Sequence, residues 1–320
     1  MKYLSRRVVH ATLLLIAISF CSFALLQLAP GDFFDSMRLN PQVSRQTVDN
    51  LRTQYGLDRP LPVRYIRWLG SVLNGQLGYS LASNSPVAPL LVVRARNTLL
   101  LSGTATLLAW LLALPIGIWS AAKRGNWGDR VSGVATSTLL AVPDLLLFLG
   151  LLLLAVRTGW FPTGGMTSEA GRDLSSSKQA SDVLYHLVIP ALGLALVTLP
   201  VLVRHVRSAM ADALDSPFIR AARGHGIPRA RLLFRYAFPA ASNPLISLFG
   251  FSIATMLSAS ALAEVVLSWP GLGPLLVESI LSRDVYVVVA IVMSSSVFLV
   301  AGNLLADLLL FASDPRIRME

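Results

Sequence analysis

The chain has 320 residues, 54% of them hydrophobic and only 14% charged, whereas a soluble domain is nearer half apolar with about a quarter charged. The net charge of +10 invites comparison with polyanion binders, but it is unevenly placed. Residues 187–240 carry seven Arg against two Asp and residues 241–285 sum to −2, an alternation that loops on two sides of a membrane produce and that argues against a nucleic-acid partner. Cys21 is the single cysteine, so no intrachain disulfide and no cysteine metal cluster can form.

Six apolar stretches follow in chain order at 8–28, 99–122, 131–156, 184–206, 245–263 and 286–311. Each approaches or exceeds the roughly 20 residues that a helix needs to cross about 30 Å of hydrocarbon. This predicts an all-α, polytopic integral membrane protein with six transmembrane helices. Pro115, Pro143, Pro190 and Pro200 interrupt the stretches, which neighbouring spans can accommodate by satisfying the freed carbonyls. Met1–Arg7 before an apolar run has the outline of a signal peptide. However, 8–28 is long for one, and Gln27-Leu28-Ala29-Pro30 is a poor cleavage sequence, so a retained span is expected.

Orientation follows the Lys and Arg near span ends. Lys2, Arg6 and Arg7 precede the first span and place the N-terminus in the cytoplasm. Counting crossings then puts Lys123, Arg124 and Arg130, the basic segment 204–235, and Arg316 and Arg318 on the same side, giving an N-in/C-in topology. The expected domains are a cytoplasmic N-terminus with the first helix (1–28), an extracytoplasmic domain (29–98), a permease domain (99–311) holding a cytoplasmic loop (207–240), and a cytoplasmic C-terminus (312–320). The 29–98 segment carries a net +4 on the outside, and long translocated segments are largely exempt from the charge rule. Its turn formers at 30–32, Pro41, Pro60 and Pro62 separate amphipathic stretches at 48–55 and 63–73. It is too small to bury a large core of its own and is expected to fold onto the membrane mouth. The second outer loop, 157–183, is rich in Gly and Ser and is expected to be mobile.

The inner loop 215–229 reads Asp-Ser-Pro-Phe-Ile-Arg-Ala-Ala-Arg-Gly-His-Gly-Ile-Pro-Arg. Ser216 and Pro217 form a favourable N-cap and first-turn pair. Phe218, Ala221 and Ala222 fall at i, i+3, i+4 and predict one apolar face, edged by Arg220 and Arg223. Gly224 or Gly226 ends the helix and Pro228 opens the next. A short helix with small side chains and basic edges suits docking into a groove on a soluble partner. It equally suits lying on anionic lipid.

The pattern Ala221-Ala222, Gly226, Pro239 resembles the loop motif of importer permeases of the ATP-binding-cassette class. More narrowly, the chain resembles the first permease subunit of dipeptide, oligopeptide and nickel importers. Four groups of residues carry that likeness. They are Gly56-Leu-Asp-Arg-Pro-Leu with Tyr65-Ile-Arg-Trp-Leu-Gly and Gly75-Gln-Leu-Gly-Tyr-Ser; Pro115-Ile-Gly with Lys123-Arg-Gly; Ser268-Trp-Pro-Gly-Leu-Gly; and Asn303-Leu-Leu-Ala-Asp with Asp314-Pro-Arg-Ile-Arg. The resemblance implies a heterodimer with a second permease subunit, two cytoplasmic ATP-binding-cassette ATPases and an extracytoplasmic solute-binding protein. It implies that Ser216, Pro217, Phe218, Arg220, Ala221, Ala222, Arg223 and Gly226 form the helix that couples to an ATPase. It places the chain in the cell inner or plasma membrane as a multi-pass protein. Arg220 departs from the Glu common across the wider permease class, which leaves the polar partner on the ATPase undefined.

The residues themselves support a divided machine. No Gly-x4-Gly-Lys-Ser/Thr phosphate loop occurs, so no nucleotide cofactor is expected here and ATP would be held by partner subunits. No nucleophile–base or paired-carboxylate arrangement suggests an enzyme. His10, His186, His205 and His225 lie near span ends or in the inner loop and suggest no metal site. Asp144 follows Pro143 within the third span; either it favours the start of a half-helix through the dipole, or it lines the pathway and meets a cationic group of the solute. Glu264, Asn303 and Asp307 suit hydrogen bonding between spans, and Arg204 and His205 suit snorkelling at a span end. Trp269, Pro270, Gly271 and Gly273 form a tight turn before a short helix at 274–281, which reads as an outer lip with Trp at the interface. A carrier or channel driven by an ion gradient, or by none, is the alternative reading. It would need no ATPase.

Overall fold

The computed structural model describes residues 2–28, 33–34, 44–54, 56, 58–168 and 175–313, with α1 side chains described from Val9 to Leu25. The expected turns at 30–32 and Pro41, the end of the 48–55 stretch at Tyr55, the side chains of Lys2, Arg6 and Arg7, part of the second outer loop (169–174), and the C-terminal residues carrying Arg316 and Arg318 lie outside the described residues.

Eleven helices and one small hairpin are named here in chain order. α1 (Lys2–Leu28), α2 (Arg45–Gln54) and α3 (Leu61–Leu73) come first, then β1 (Tyr79–Ser80) paired antiparallel with β2 (Ser85–Pro86). α4 (Val87–Ala122), α5 (Trp127–Ala141), α6 (Asp144–Thr158), α7 (Ser176–Leu214) and α8 (Pro217–Gly224) follow. A turn at Arg229–Arg231 and a π-helical stretch at Leu232–Ala237 lead into α9 (Phe238–Val266), then α10 (Leu272–Leu281) and α11 (Val285–Ser313). At 1.5 Å per residue, the 39-residue α7 is about 58 Å long, well beyond hydrocarbon thickness.

Against the six expected spans, four described helical segments are long and apolar enough to cross a membrane: Val87–Ala122, Ser176–Leu214, Arg229–Val266 and Val285–Ala312. The expected span 131–156 is two helices, α5 and α6, bent by 96°, which makes five if the pair counts as one. Val9–Leu25 is a shorter apolar stretch of α1. Pro143 is the cause of the bend. It removes a donor, sits at the N-cap of α6 with extended ψ, and keeps Val142 out of helical geometry. Pro115, Pro190, Pro200 and also Pro244 lie inside continuous helices. Pro115, Pro190 and Pro200 are thus accommodated without a helix break, as neighbouring spans permit, and of the four expected prolines Pro143 alone stands at a break.

The described residues divide into two compact units, one within Met1–Asn97 and Pro270–Val300, the other within Thr98–Trp269 and Ala301–Glu320. In the first unit α3 buries Tyr65 and Trp68 against Phe23 of α1 and Val289 of α11. The Tyr65 hydroxyl is 2.8 Å from that of Ser19. The hairpin is fastened at the N-terminus of α11, where Asp284 Oδ2 accepts from Ser80 Oγ at 2.7 Å and from the Ala82 amide at 3.1 Å. Val87, Leu91, Leu272, Val287 and Ile291 form a further cluster. The described part of residues 29–98 thus finds its apolar partners on α1 and α11 and needs no large core of its own.

The second unit is built around α7, which buries Leu187, Leu194, Leu202, Val203, Val206 and Met210. Helices approach it where side chains are smallest. A Cβ on Gly117 would lie 2.7 Å from Val206 Cβ, and one on Gly193 would lie 2.9 Å from the Phe148 ring. Likewise a Cβ on Gly250 of α9 would lie 2.0 Å from Ala306 Cβ of α11. Membrane helices lack a hydrophobic drive toward one another, so such close backbone packing is a main source of their association. The expected mobile loop 157–183 is shorter than its composition suggests, because α7 begins at Ser176. Its described part is tied down: Gly165 donates to the Ser268 carbonyl at 3.2 Å, Ser168 to Asp182 at 2.8 Å, and Tyr185 to the Trp160 carbonyl.

Candidate functional site

α8 is a knob held by one side chain. Ile219 is fully buried in the α7 core, with Ala222 and Ile227 half-buried beside it. Burying a side chain of this size is worth about 2 kcal/mol. Phe218 is 50% exposed, and Arg220, Ala221, Arg223 and Gly226 are exposed as well. The expected single face of Phe218, Ala221 and Ala222 is therefore split. Ala222 turns inward with Ile219, three residues apart, while Phe218 and Ala221 turn outward.

The ends of α8 follow the sequence with one correction. Ser216 occupies the N-cap position, but its hydroxyl donates to the Ala213 carbonyl at 2.5 Å and makes no capping bond. Pro217 starts the helix, Gly224 is its last residue, and Gly226 turns the chain at φ +75°, a conformation glycine adopts without cost. Beyond it, the π-helical stretch leaves Phe234 63% exposed. Arg229, Arg231 and Arg235 are exposed too. Phe218 and Phe234 are thus exposed rings, with exposed arginines close to each in sequence, in the stretch between α7 and α9.

A charge cluster, not apparent from the sequence, fixes the root of this loop. Asp129, in the first turn of α5 and 8% exposed, accepts from Arg207 of α7 through both oxygens, at 2.6 Å from Nε and 2.8 Å from Nη2. It also accepts from the Ser120 hydroxyl at 2.6 Å and the Gly125 amide at 3.0 Å. Such a fork-to-fork pair fixes geometry as well as charge. It joins the end of α4, the start of α5 and the last turns of α7. Arg124 adds an exposed ion pair with Asp215 at 2.7 Å, directly before α8. The sequence signal is an Asp within the basic segment 123–130, but 78 residues separate the partners, so no local pattern pairs them.

The other expected residues lie elsewhere. Asp144 is the first residue of α6, exposed, without a hydrogen bond among the described residues. It stands in the first helical turn and not at the N-cap, which Pro143 occupies. Trp269 is fully buried within the α7 core cluster, so its ring packs among apolar side chains of the same chain. Pro270 accepts from Asn97 Nδ2 at 2.8 Å. Gly271 caps α10, which begins at Leu272, two residues ahead of expectation and including Gly273. Glu264 is fully buried, Asp307 half-buried and Asn303 exposed, and Arg204 and His205 are exposed.

Comparison with known proteins agrees over the whole chain. Residues 113–319 match the family model of the binding-protein-dependent transport system inner membrane component, and residues 1–102 match the N-terminal model of the same membrane components. The oligopeptide transport system permease protein AppB of Bacillus subtilis (strain 168) is 36% identical over 319 residues, covering 98% of each chain. The di/tripeptide transport system permease protein DppB of Pseudomonas aeruginosa (strain UCBPP-PA14) is 31% identical, covering 100% of this chain and 99% of the relative. Among solved structures, an inward-facing conformation of the MetNI methionine ABC transporter aligns with a TM-score of 0.59 at 17% identity. It covers 70% of this chain and 96% of that one, which shows a shared fold. The chain belongs to the family of binding-protein-dependent transport system inner membrane components.

Proposed function

We propose that the chain crosses the cell inner or plasma membrane six times, with both termini in the cytoplasm. It forms half of a heterodimeric pathway for peptides or related solutes, with residues 29–98 outside. A solute-binding protein delivers the solute, and two ATP-binding-cassette ATPases bind and hydrolyse the ATP. The relatives' names, which speak of oligopeptides and di- or tripeptides, support the solute class. The single observation that carries the mechanism is the geometry of α8. It is pinned by Ile219 and presents Phe218, Arg220, Ala221 and Arg223 outward, which fits a knob seated in an ATPase groove. Small residues permit close approach, and Phe218 supplies an aromatic anchor of the kind that dominates interfaces.

In this mechanism ATP binding closes the ATPase dimer, α8 carries that movement into α7 through buried Ile219, and the Asp129–Arg207 clamp passes it from α7 to α5. Phe218→Ala removes an anchor without opening the core. The expected result is an expressed, assembled complex that hydrolyses ATP with little stimulation by solute and transports little. Normal transport at normal expression would overturn the assignment of Phe218.

A further inference from the structure

The first compact unit holds a cavity of about 300 Å³ between α3, the hairpin and the start of α11. Arg59, Arg64 and Arg67 line it together with Trp68, Tyr79 and Tyr286. None of its lining residues is acidic. Arg64 is 8% exposed, with its guanidinium 5.6 Å from the centre of the Phe23 ring. Arg59 is half-buried and Arg67 exposed, and neither guanidinium has a hydrogen bond or ion pair among the described residues. Asp58, the neighbour of Arg59, is exposed and does not line the cavity. These three arginines belong to the net +4 of residues 29–98, an excess that membrane topology does not require.

The walls are set in place before anything binds. The Trp68 indole N–H donates to the Leu77 carbonyl at 3.1 Å, and the Tyr79 hydroxyl donates to the Asn84 carbonyl at 2.8 Å. Gly78, at φ +107°, presses on Tyr286 so closely that a Cβ there would be 3.1 Å from the ring. The cavity therefore combines guanidinium forks, which match a carboxylate bidentately, with the fixed and partly open rings of Tyr79 and Tyr286, which an organic body can cover. An inorganic oxyanion would use the forks and leave the rings untouched.

We propose that this cavity binds the carboxylate end of a peptide-like solute. The inference rests on the peptide reading above and places an acceptor for that group in the described part of the 29–98 segment. The test is calorimetric titration of the full-length chain, purified with its partner subunits in detergent. The probes are N-acetyl-dialanine, its C-terminal amide and inorganic phosphate. Saturable binding of the acid is expected, with the amide, phosphate and the Arg59→Gln/Arg67→Gln double variant each about tenfold weaker or more, the loss of one charge-assisted pair. Arg67→Lys, which keeps the charge and loses the fork, should fall between. Equal binding of acid and amide, an unaffected double variant that elutes like wild type, or no saturable binding would overturn the proposal. Phosphate binding as tight as the acid would replace it with a general oxyanion site. Recovery of ATPase subunits in the same preparation reports on the transporter reading separately, so the two can fail independently.

Discussion

Two sets of arginines, one in each compact unit, are held in opposite ways. Arg207 in the second unit meets both oxygens of a buried aspartate that also accepts from Ser120 and Gly125. Arg59 and Arg67 in the first unit meet no carboxylate among the described residues and line a cavity walled by aromatic rings. A buried charge is expensive unless paired and hydrogen-bonded, so the matched set reads as scaffold. Unmatched charge at a preformed cavity suits an anionic ligand. Within the second unit the contrast recurs: Ile219 fastens α8 from below while Phe218 and its arginine neighbours stand clear.

Substitutions should separate these roles. The largest loss is expected for Arg207→Met, which strands Asp129 in a site where it is 8% exposed. Breaking a buried pair costs about 3–5 kcal/mol. Because the Arg207 side chain is 38% exposed, about 2–3 kcal/mol is the expected loss, read as a lower unfolding midpoint in detergent. Asp129→Asn should cost less, since the remaining guanidinium can turn to solvent. A larger loss for Asp129→Asn would contradict the clamp. Removing Arg59 and Arg67 should leave stability nearly unchanged and act on anion binding alone. The smallest effect belongs to Arg124→Ala. Its pair with Asp215 is exposed on both sides, at 60% and 70%, and such pairs contribute about 0–1 kcal/mol that salt screens. A midpoint shift comparable to that of Arg207→Met would show that this pair is not the surface contact described.

What the sequence revealed depended on whether local pattern or distant packing decides. The apolar stretches fix where most long helices lie, because hydrocarbon burial imposes both length and composition. The start and stop of α8 are legible in Pro217, Gly224 and Gly226, since proline and glycine act on their own backbone. The orientation of α8 is not. Phe218-Ile219 presents two adjacent apolar residues 100° apart on a helix, and only α7 decides that Ile219 is the one buried. Proline gives the same lesson. Pro190 and Pro200 lie in the well-packed α7, where continuing the helix preserves many contacts, while Pro143 stands exposed at a place where α5 and α6 diverge. Residue type alone suggests an interface for Trp269, while tertiary packing sets its place in the α7 core cluster. The Asp129–Arg207 clamp escapes any local pattern because its members come from different helices.

The central claim is that α8 is a seat for an ATPase. The direct measurement is cross-linking at Arg220→Cys in a Cys21→Ala background, since the natural thiol is exposed. The tagged chain would be purified from its native membranes and its products identified by mass spectrometry. A cross-linked product joining residue 220 to a phosphate-loop ATPase, recovered together with a second permease subunit, is the predicted result. Recovery of the chain alone or only as a homo-oligomer, with residue 220 labelled solely by membrane-surface reagents, would contradict it.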